Sequence, residues 1–411
     1  MTYMADDCTE LTHCVACGHS ELTTVIDLYK QPLANSYKNS KDEDIPYYPL
    51  AIAYCDNCHH VQLSHRINPD LMFKDYLYVT GTSNTMKDYC DWFSKFAQEY
   101  YRGYSGTARS VLDIGCNDGT QLDSFKKLGM ATYGVDPAVN LYERSSVNHK
   151  IHCGYFDDSF DIPDSPNTYD IIGAQNVFAH TSDPLSFLQT ASKYMGAESL
   201  MFVQTSQAEM ILNNEFDTIY HEHISFFNIK SMDMLTKRAC LHLVDVIKTP
   251  IHGTTYMFVI SKYRQRDAHI QNLIEMETIK GLYSDQTYTD YSFKCDQAVA
   301  NLKQLIDHYK HVRDFNVVGY GAAAKGNTVL NYSEAQLDFI VDDNPLKQGK
   351  YTPGSNIPIV SIDQLDQLIG PTLFVPLAWN FFKEIKSKIV NRHNNPDDLF
   401  LTYFPTVKII V

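Results

Sequence analysis

The densest group of titratable and aromatic side chains in the sequence is Tyr220-His221-Glu222-His223, within residues 216–227. A histidine beside an acid is a natural general base, because imidazole titrates near neutral pH. The two histidines are two residues apart, so they share a face on an extended segment but not on a helix. The spacing is not that of the helical HExxH zinc motif, and we find no compelling outside ligand. The segment therefore predicts acid–base chemistry, and the alternative is an aromatic structural loop with exposed histidines.

Two Cys-x-x-Cys pairs predict a metal centre near the start of the chain. Cys14 and Cys17 form the first pair, Cys55 and Cys58 form the second, and 37 residues lie between them. Four thiolates in this pattern can hold one tetrahedral Zn²⁺ with no open position, which predicts a structural site. The alternative interpretation is four unrelated free cysteines. Four histidines lie nearby, and one of them could replace a thiolate as ligand: His13, His19, His59 and His60.

A glycine-containing turn predicts a cofactor site. Residues 110–119, SVLDIGCNDG, form an apolar run that leads into a turn with Gly115, Asn117 and Gly119. Glycines let the backbone approach a ligand closely, and a helix that starts after the turn directs its N–H groups at that ligand. Asp136 ends the next predicted strand about 20 residues further on, where a carboxylate can accept both ribose hydroxyls.

The same layout serves NAD, but three features favour S-adenosylmethionine. The turn reads D-x-G-x-x-x-G instead of G-x-G-x-x-G. Asp113 lies inside the strand, where methyltransferases place an acid near the methionine amino group. Residues 170–176, DIIGAQN, look like the strand that flanks the sulfonium. The predicted cofactor-binding residues are Asp113, Gly115, Asn117, Gly119, Asp136 and Asn176.

Strand-like runs alternate with helical patterns in two stretches of the chain, which predicts two parallel sheets with crossover helices. The first stretch contains SVLDIG, TYGVD, YDIIGAQN and SLMFVQT, and the second contains FNVVGYGAAAKG, LDFIVDDN, IPIVSI and PTLFVPL. A helix is predicted between them, over residues 284–312. We therefore expect an α/β protein with a small zinc-binding domain at residues 1–75. A central Rossmann-like class I methyltransferase domain is expected at 76–283, and a C-terminal Rossmann-like domain at 284–411.

Composition narrows the class of partner. The 411 residues are 44% hydrophobic and 20% charged, with a net charge of -15, which argues against a nucleic-acid groove. No apolar run approaches the roughly 20 residues that span a bilayer, and the first residues lack a signal-peptide pattern. Ten cysteines are too few for a disulfide scaffold. We expect a soluble, cytoplasmic protein with no nucleic-acid or membrane partner, and the oligomeric state stays open.

Over nearly its whole length the chain resembles the sugar C-methyltransferases that act on nucleotide-activated 4-keto deoxysugars. The resemblance rests on the paired cysteine motifs, LDIGCNDG, Asn176-x-x-x-His180, YHEHISFF, and GYGAAAKG followed by VDDNP. It implies methyl transfer from S-adenosylmethionine to C3 of a nucleotide-activated 4-keto-6-deoxy sugar, in branched-sugar biosynthesis. The ketone at C4 permits an enolate at C3, whose carbon can then take the methyl group.

The resemblance also implies roles for individual residues. His223, in the Y-x-E-H pattern, would remove the proton from the carbon beside the ketone. Tyr220 and Glu222 would orient this base or donate to the enolate oxygen, a contact worth roughly 3 kcal/mol. His180 and Tyr76 match positions near the reacting sugar.

Three points about the substrate stay open. Tyr78 is an alternative to Tyr76 near the sugar. The resemblance implies that the C-terminal unit helps to bind the nucleotide sugar, with Lys325 available for a phosphate. The alternative is that Lys325 is a solvated helix residue without such a role. The family often shows H-G-G-S-x-R after the catalytic segment, whereas residues 252–257 read HGTTYM and lack the arginine. Any substrate contact made there is therefore in doubt.

Two other functions compete with sugar C-methylation. An O- or N-methyltransferase acting on another small molecule would not need a base for a carbon acid. A non-catalytic zinc-ribbon binding protein with a decayed methyltransferase domain is the second alternative. The intact Asp113, Gly115, Gly119 and Asp136 argue against this last interpretation.

Overall fold

The computed structural model describes residues 7–249, 255–264 and 268–410, and within these ranges the strands form four sheets. The strands are β1 (Cys8–Glu10), β2 (Leu22–Pro32), β3 (Tyr47–Cys55), β4 (Val61–Leu63), β5 (His65–Ile67), β6 (Ser110–Ile114), β7 (Ala131–Asp136), β8 (Lys150–Cys153), β9 (Tyr169–Gln175), β10 (Met195–Thr205), β11 (Ser225–Phe226), β12 (His242–Lys248), β13 (Tyr256–Ser261), β14 (Asn316–Tyr320), β15 (Phe339–Val341), β16 (Ile359–Val360), β17 (Thr372–Pro376), β18 (Leu399–Thr402) and β19 (Lys408–Ile410). The helices are α1 (Asp70–Phe73), α2 (Asn84–Ser105), α3 (Thr120–Lys127), α4 (Val139–Ser145), α5 (Pro184–Lys193), α6 (Met210–Asn213), α7 (Ile229–Arg238), α8 (Ala268–Ile279), α9 (Asp285–His311), α10 (Ala324–Ser333) and α11 (Phe382–Arg392).

The N-terminal part of the chain forms an antiparallel sheet of order β11-β4-β3-β2, beside the small β1-β5 pair. Strand β11 comes from the central part of the chain, and it pairs with β4 through Ser225 opposite Gln62 and Phe226 opposite Val61. The backbone N–H of Leu63 donates to the carbonyl of Ile224 at 2.8 Å. The sheet that follows the first cysteine pair is therefore continuous with the segment that contains His223.

The central sheet has the order β12-β13-β10-β9-β6-β7-β8, and only β13 runs antiparallel to its two neighbours. Its inner strands are apolar and buried on both faces, as parallel strands covered by helices must be. From β6 the chain moves outward through β7 and β8, and then returns to β9 on the other side of β6. The carboxyl ends of β6 and β9 thus form a topological switch point, where open α/β sheets bind ligands.

The C-terminal sheet repeats this plan with the order β16-β15-β14-β17-β18-β19. The first five strands are parallel and β19 is antiparallel to β18. Its switch point lies between the carboxyl ends of β14 and β17. The predicted α/β class with two Rossmann-like units is confirmed, and the helix predicted over 284–312 is α9.

The three parts of the chain share their hydrophobic cores. One cluster joins Ile52 and Phe226 of the N-terminal sheet to Ile306 of α9 and to Val317 and Leu373 of the C-terminal sheet. The predicted domain boundaries therefore stay a prediction, because buried contacts cross them. Among the described residues, no helix is both long and apolar enough to span a membrane.

Candidate active site

Both switch points open onto one cavity of about 590 Å³. The first edge contributes Asp113, Gly115, Asn117, Asp136, Gln175 and Asn176. The second edge contributes Ala323, Ala324, Lys325, Ala378, Asn380 and Phe381. Between them lie residues of the segment 216–227, of the chain that precedes α2 and of the turn after β9: Tyr76, Tyr78, His180, Thr218, Tyr220 and His223. The fold therefore gathers most of the predicted site residues around a single space.

Gly115 provides the close approach that a ligand at the first switch point needs. Its φ of +73° lies in the left-handed region, and its N–H donates to the carbonyl of Val135 at 2.8 Å. A Cβ built on Gly115 would lie 2.1 Å from Cγ2 of Val177, so a side chain cannot be accommodated without movement. Asn176, which also lines the cavity, has a φ of +57°.

Asp136 is held rigidly at the cavity wall. Its Oδ2 accepts a hydrogen bond from the backbone N–H of Asn117, and its Oδ1 accepts one from that of Ala138, both at 2.8 Å. Burial raises the pKa of this carboxyl group, and the two hydrogen bonds partly oppose the shift. Each carboxylate oxygen keeps a lone pair for a further donor, so the group suits the two hydroxyls of a ribose.

Asp113 is almost fully buried at the end of β6 and lines the cavity. Burial, and then the nearby charge of Asp136, raise the pKa of its carboxyl group to about 8. A cation bound in the cavity would stabilise the carboxylate form of Asp113. The site therefore fits the ammonium group of the methionine part of the predicted cofactor.

Asn117 and Gly119, both predicted to bind the cofactor, have structural roles that the sequence did not indicate. The side chain of Asn117 accepts a hydrogen bond from the backbone N–H of Thr80 at 2.9 Å and donates to the carbonyl of Tyr78 at 3.0 Å. Gly119, with a φ of +85°, precedes α3 and packs against Ser145, and it is not among the residues that line the cavity. Asn117 thus ties the chain before α2 to the turn, and Gly119 shapes the start of the helix.

His223 points one ring nitrogen at the backbone and the other at a tyrosine. Its Nδ1 lies 2.9 Å from the carbonyl oxygen of Thr218, which can only accept, so Nδ1 carries a hydrogen. In the neutral ring Nε2 is then the acceptor, and the hydroxyl of Tyr220 donates to it at 2.8 Å. The basic nitrogen of His223 is therefore the one that accepts from Tyr220, and both residues line the cavity.

His180 stacks between two rings at the cavity. The ring centroids of His180 and His223 are 5.4 Å apart, and those of His180 and Phe73 are also 5.4 Å apart. Burial lowers the pKa of His180 to about 4, so its ring is neutral at physiological pH. Burial also raises the pKa of Tyr220 well above its ordinary value, which keeps its hydroxyl protonated as a donor.

Glu222 contacts Tyr76 rather than the predicted base. Its Oε2 accepts a hydrogen bond from the hydroxyl of Tyr76 at 3.2 Å, and its Oε1 accepts one from Nδ2 of Asn35 at 2.5 Å. Burial raises the pKa of this carboxyl group to about 7, while both donors lower it. Glu222 thus contacts Tyr76, which lines the cavity, and its role in orienting the base or donating to the enolate oxygen stays a prediction.

The HEH segment is a turn, neither extended nor helical. The backbone N–H of His223 donates to the carbonyl of Tyr220 at 2.9 Å, which turns His221 and His223 to different surroundings. His221 is buried with its ring edge against Tyr48, and burial lowers its pKa to about 4. The alternative of a structural loop with exposed histidines therefore does not hold for His221, which is buried.

The second switch point carries a positive side chain. Lys325, in the first turn of α10, lines the cavity, and its Nζ lies 5.2 Å from the ring centroid of Trp379. Within the described chain, no carboxylate lies within ion-pair distance of this amine. The carboxylate of Asp342, which follows β15 at the same sheet edge, instead accepts hydrogen bonds from the backbone N–H groups of Ala322 and Asn344. Lys325 is therefore available to an anionic ligand.

The four cysteines converge on one point. Their Sγ atoms lie within 4.8 Å of one another, with 3.6 Å between Cys14 and Cys58 and 3.5 Å between Cys17 and Cys55. A tetrahedral zinc with bonds of about 2.3 Å separates its sulfur ligands by roughly 3.8 Å, so the set fits Zn²⁺. Among the described residues, no second group of three or more His, Cys, Asp or Glu side chains converges in this way.

Several residues of the site escaped the sequence analysis. Thr218 orients His223 through its carbonyl, and the short turn it belongs to was within the segment already singled out. Tyr89 lines the cavity from α2, and its hydroxyl lies 2.8 Å from Oε1 of Gln175. Asn35 lies 187 residues before Glu222, and no local pattern connects the two. Of the atypical stretch 252–257, the first three residues lie outside the described residues.

Three family models match the chain in succession. The one described as "Putative zinc binding domain" covers residues 14–73, the "Methyltransferase domain" covers 83–246, and the "C-methyltransferase C-terminal domain" covers 250–405.

Known proteins with similar sequences are also methyltransferases. C-methyltransferase NovU of Streptomyces niveus is 29% identical over 396 residues, which cover 93% of each chain. A ubiquinone biosynthesis O-methyltransferase of Bartonella quintana is 25% identical over 184 residues, or 40% of this chain and 71% of that protein. Among solved structures, an S-adenosylmethionine-dependent methyltransferase from Clostridium acetobutylicum aligns with 43% of this chain and 93% of its own, at 11% identity and a TM-score of 0.37.

The order of the three matched regions agrees with the order of the cysteine cluster, the first switch point and the second switch point along the chain. The C-methyltransferase relative aligns along nearly the whole length. The chain is therefore similar to C-methyltransferases along nearly its whole length, and it is an S-adenosylmethionine-dependent methyltransferase with structural zinc.

Proposed function

We propose that the enzyme transfers a methyl group to C3 of a nucleotide-activated 4-keto-6-deoxy sugar, through an enolate. The observation that carries the proposal is the tautomer of His223, whose Nδ1 is committed to the carbonyl of Thr218. Its Nε2 is therefore the basic nitrogen, and His223 lines the cavity together with Tyr220, whose hydroxyl must turn away from Nε2 before that nitrogen takes a proton. A base of this kind is needed to methylate carbon, since a C–H proton beside a ketone must be removed first.

The residues of the first switch point suit the methyl donor. Asp136 would accept the ribose hydroxyls, Asp113 would pair with the ammonium group, and Gly115 lets the backbone approach the ligand. When bound, S-adenosylmethionine supplies an electrophilic methyl group on a sulfonium centre. The protein holds these partners in a largely apolar space, which strengthens each charged contact.

The residues around His223 suit a sugar ketone. Its ring would accept the proton from the carbon next to the carbonyl. The neutral hydroxyls of Tyr220 and Tyr76, which donate to His223 and Glu222 in this structure, would turn to donate to the oxygen on which negative charge develops. One such donor is worth roughly 3 kcal/mol of transition-state stabilisation. Lys325 would pair with a phosphate of the nucleotide from the opposite edge of the cavity. Each group therefore has a separate role in the same space.

The direct test is product formation. The zinc-loaded protein is incubated with S-adenosylmethionine and a panel of nucleotide 4-keto sugars, and mass spectrometry follows the gain of one CH₂. Position-specific NMR then assigns the new methyl to carbon or to oxygen. We expect a branched product methylated at C3, and a methyl ether would instead favour the O-methyltransferase alternative.

Replacement of the base tests the mechanism separately. We expect His223→Ala to lower kcat by about 10²- to 10⁴-fold, because a general base contributes that much to proton removal. The KM for S-adenosylmethionine should change less than about twofold, since the cofactor residues are untouched. The control is His311→Ala, an exposed histidine at the end of α9.

A solvent-exchange measurement tests proton removal in the absence of the methyl donor. Wild-type protein with the sugar in D₂O should place deuterium at C3, whereas His223→Ala should not. Retention of full activity in His223→Ala, or the absence of deuterium with wild-type protein, contradicts an enolate pathway.

A further inference from the structure

A segment of the zinc-binding part, residues 34–37, contacts the C-terminal unit next to the cavity. The carbonyl of Ala34 accepts a hydrogen bond from Nδ2 of Asn327 in α10 at 2.6 Å. The hydroxyl of Tyr37 donates to the carbonyl of Ala322, in the turn that follows β14, at 2.5 Å. Asn35 lies between these two anchors and is therefore held in place by contacts with the C-terminal unit on both sides.

Asn35 is the first member of a chain of hydrogen bonds that ends at the cavity. Its Nδ2 donates to Oε1 of Glu222 at 2.5 Å, and the hydroxyl of Tyr76 lies 3.2 Å from Oε2 of the same carboxyl group. Glu222 is only 5% exposed and does not line the cavity, whereas Tyr76 does. The zinc-binding part is thus connected to the cavity wall through one buried carboxyl group.

The amide of Asn35 determines where a proton can reside on Glu222. An amide nitrogen can only donate, so Oε1 must act as an acceptor and carries no hydrogen. A proton on Glu222 is then confined to Oε2, between the carboxyl group and Tyr76.

We infer that Asn35 is a positioning residue that keeps the proton of Glu222 on Oε2, so that Glu222 and Tyr76 together deliver a proton to the substrate oxygen. The inference rests on the proposed function. As the ketone oxygen gains charge, it takes the hydroxyl hydrogen of Tyr76, and the Tyr76 oxygen takes the hydrogen from Oε2. Glu222 is left as a carboxylate that accepts from Asn35 and Tyr76, and the hydrogen returns by the same path when the ketone forms again.

The electrostatic surroundings support a carboxyl group that can act in this way. Burial raises the pKa of Glu222 to about 7, against the opposing effect of its two donors. The titratable groups that interact with it are Tyr37, Tyr76 and Tyr220, and burial raises the pKa of each. All three are neutral phenols near pH 7, so Glu222 is the group in this cluster that exchanges a proton.

The test compares Asn35→Leu, which removes the donor at similar volume, with Asn39→Leu, an exposed asparagine of the same segment. Asn35→Leu should lower kcat by at least about tenfold, as expected for loss of a hydrogen bond to a charged group, with an unchanged KM for S-adenosylmethionine. The decline of kcat at alkaline pH, where Glu222 loses its proton, should move to higher pH. In an E222Q background the same substitution should have little further effect.

A second readout needs no substrate. Difference infrared spectroscopy follows the carboxylic acid band that is absent in E222Q, and this band should persist to higher pH in Asn35→Leu. An unshifted band, or an equal loss of kcat in the E222Q background, overturns the inference. A shifted band in a protein that methylates no nucleotide sugar overturns the proposed acceptor instead.

Discussion

At the scale of single residues, burial controls two carboxyl groups on different sides of the cavity. Asp113 lies at the end of β6 on the cofactor side and Glu222 lies behind Tyr76 on the catalytic side. Desolvation is the largest cause of the raised pKa in both. They differ in their partners, because Glu222 accepts two hydrogen bonds from the protein whereas Asp113 faces the cavity. Asp113 should therefore respond to a bound cation.

The affinity for S-adenosylmethionine should depend on pH through Asp113. Its pKa is about 8 without ligand, and the ligand's ammonium group favours the carboxylate, so binding at lower pH must release a proton. The affinity should fall by up to about tenfold per pH unit below that value. Above about pH 8 the ligand's own amino group loses its proton, so the profile is bell-shaped.

Calorimetric titrations across this pH range, in buffers of different ionisation enthalpy, measure both affinity and proton release. Asp113→Asn should bind more weakly, and its affinity should lose the acid limb. Asp88→Asn, at an exposed position of α2, serves as control and should behave as wild type. If the affinity of Asp113→Asn for S-adenosylmethionine still falls at low pH as in the wild type, the released proton comes from another group.

At the scale of elements, a strap formed by residues 76–82 crosses beside the cofactor turn. Asn117 binds the backbone of Tyr78 and Thr80, and Oδ2 of Asp118 accepts a hydrogen bond from the N–H of Gly81 at 3.1 Å. The strap carries Tyr76, which contacts Glu222. The glycine turn after β6 therefore also positions the segment that contains Tyr76, a residue of the proposed catalytic group.

Asn117→Ala should loosen the strap. Loss of two hydrogen bonds, each worth about 1 kcal/mol, should speed hydrogen exchange of the Thr80 amide by roughly tenfold or more and reduce kcat. Hydrogen-exchange mass spectrometry compares the strap with the strands of the central sheet, whose exchange should not change. Asn148→Ala, at an exposed site near β8, is the matched control. Unaltered exchange in the strap would mean that other contacts hold it.

The sequence predicted those features that depend on a local pattern of residues. Buried parallel strands are continuous apolar runs, so the runs that became β6, β9 and β10 were visible, as were the cysteine pairs and α9. Features that depend on distant contacts were not. The two-residue strand β11 exists because β4 pairs with it, and Asn35 meets Glu222 only in the folded chain.

At the scale of the whole molecule, the zinc cluster supports the catalytic segment through the N-terminal sheet. Cys14, Cys55 and Cys58 share a buried cluster with Phe227, which directly follows β11. Ile224 donates its N–H to the carbonyl of Ala179 and accepts from Leu63, so it joins the turn of His180 to β4. Zinc bound by the four cysteines would therefore stabilise the framework that holds His180 and His223 together.

Removal of the metal should affect turnover more than cofactor binding. Cys14→Ser, or treatment with a chelator, should remove the bound zinc, lower the Tm, and reduce kcat by at least about tenfold, because structural zinc contributes directly to folding free energy. The affinity for S-adenosylmethionine should fall much less, since its residues belong to the central sheet. Metal analysis, thermal denaturation and calorimetry check these outcomes, with the exposed Cys153→Ser as control.

The shared position of β11 has a consequence for how such an enzyme can be divided. A fragment without residues 1–75 would keep the glycine turn and Asp136, yet it would lose the partner strand of Phe226 and the ring of Phe73 that covers His180. Recognition of the methyl donor and competence for the reaction are thus separable in principle. An exchange of the N-terminal region between relatives would succeed only when the paired strands β4 and β11 are exchanged together.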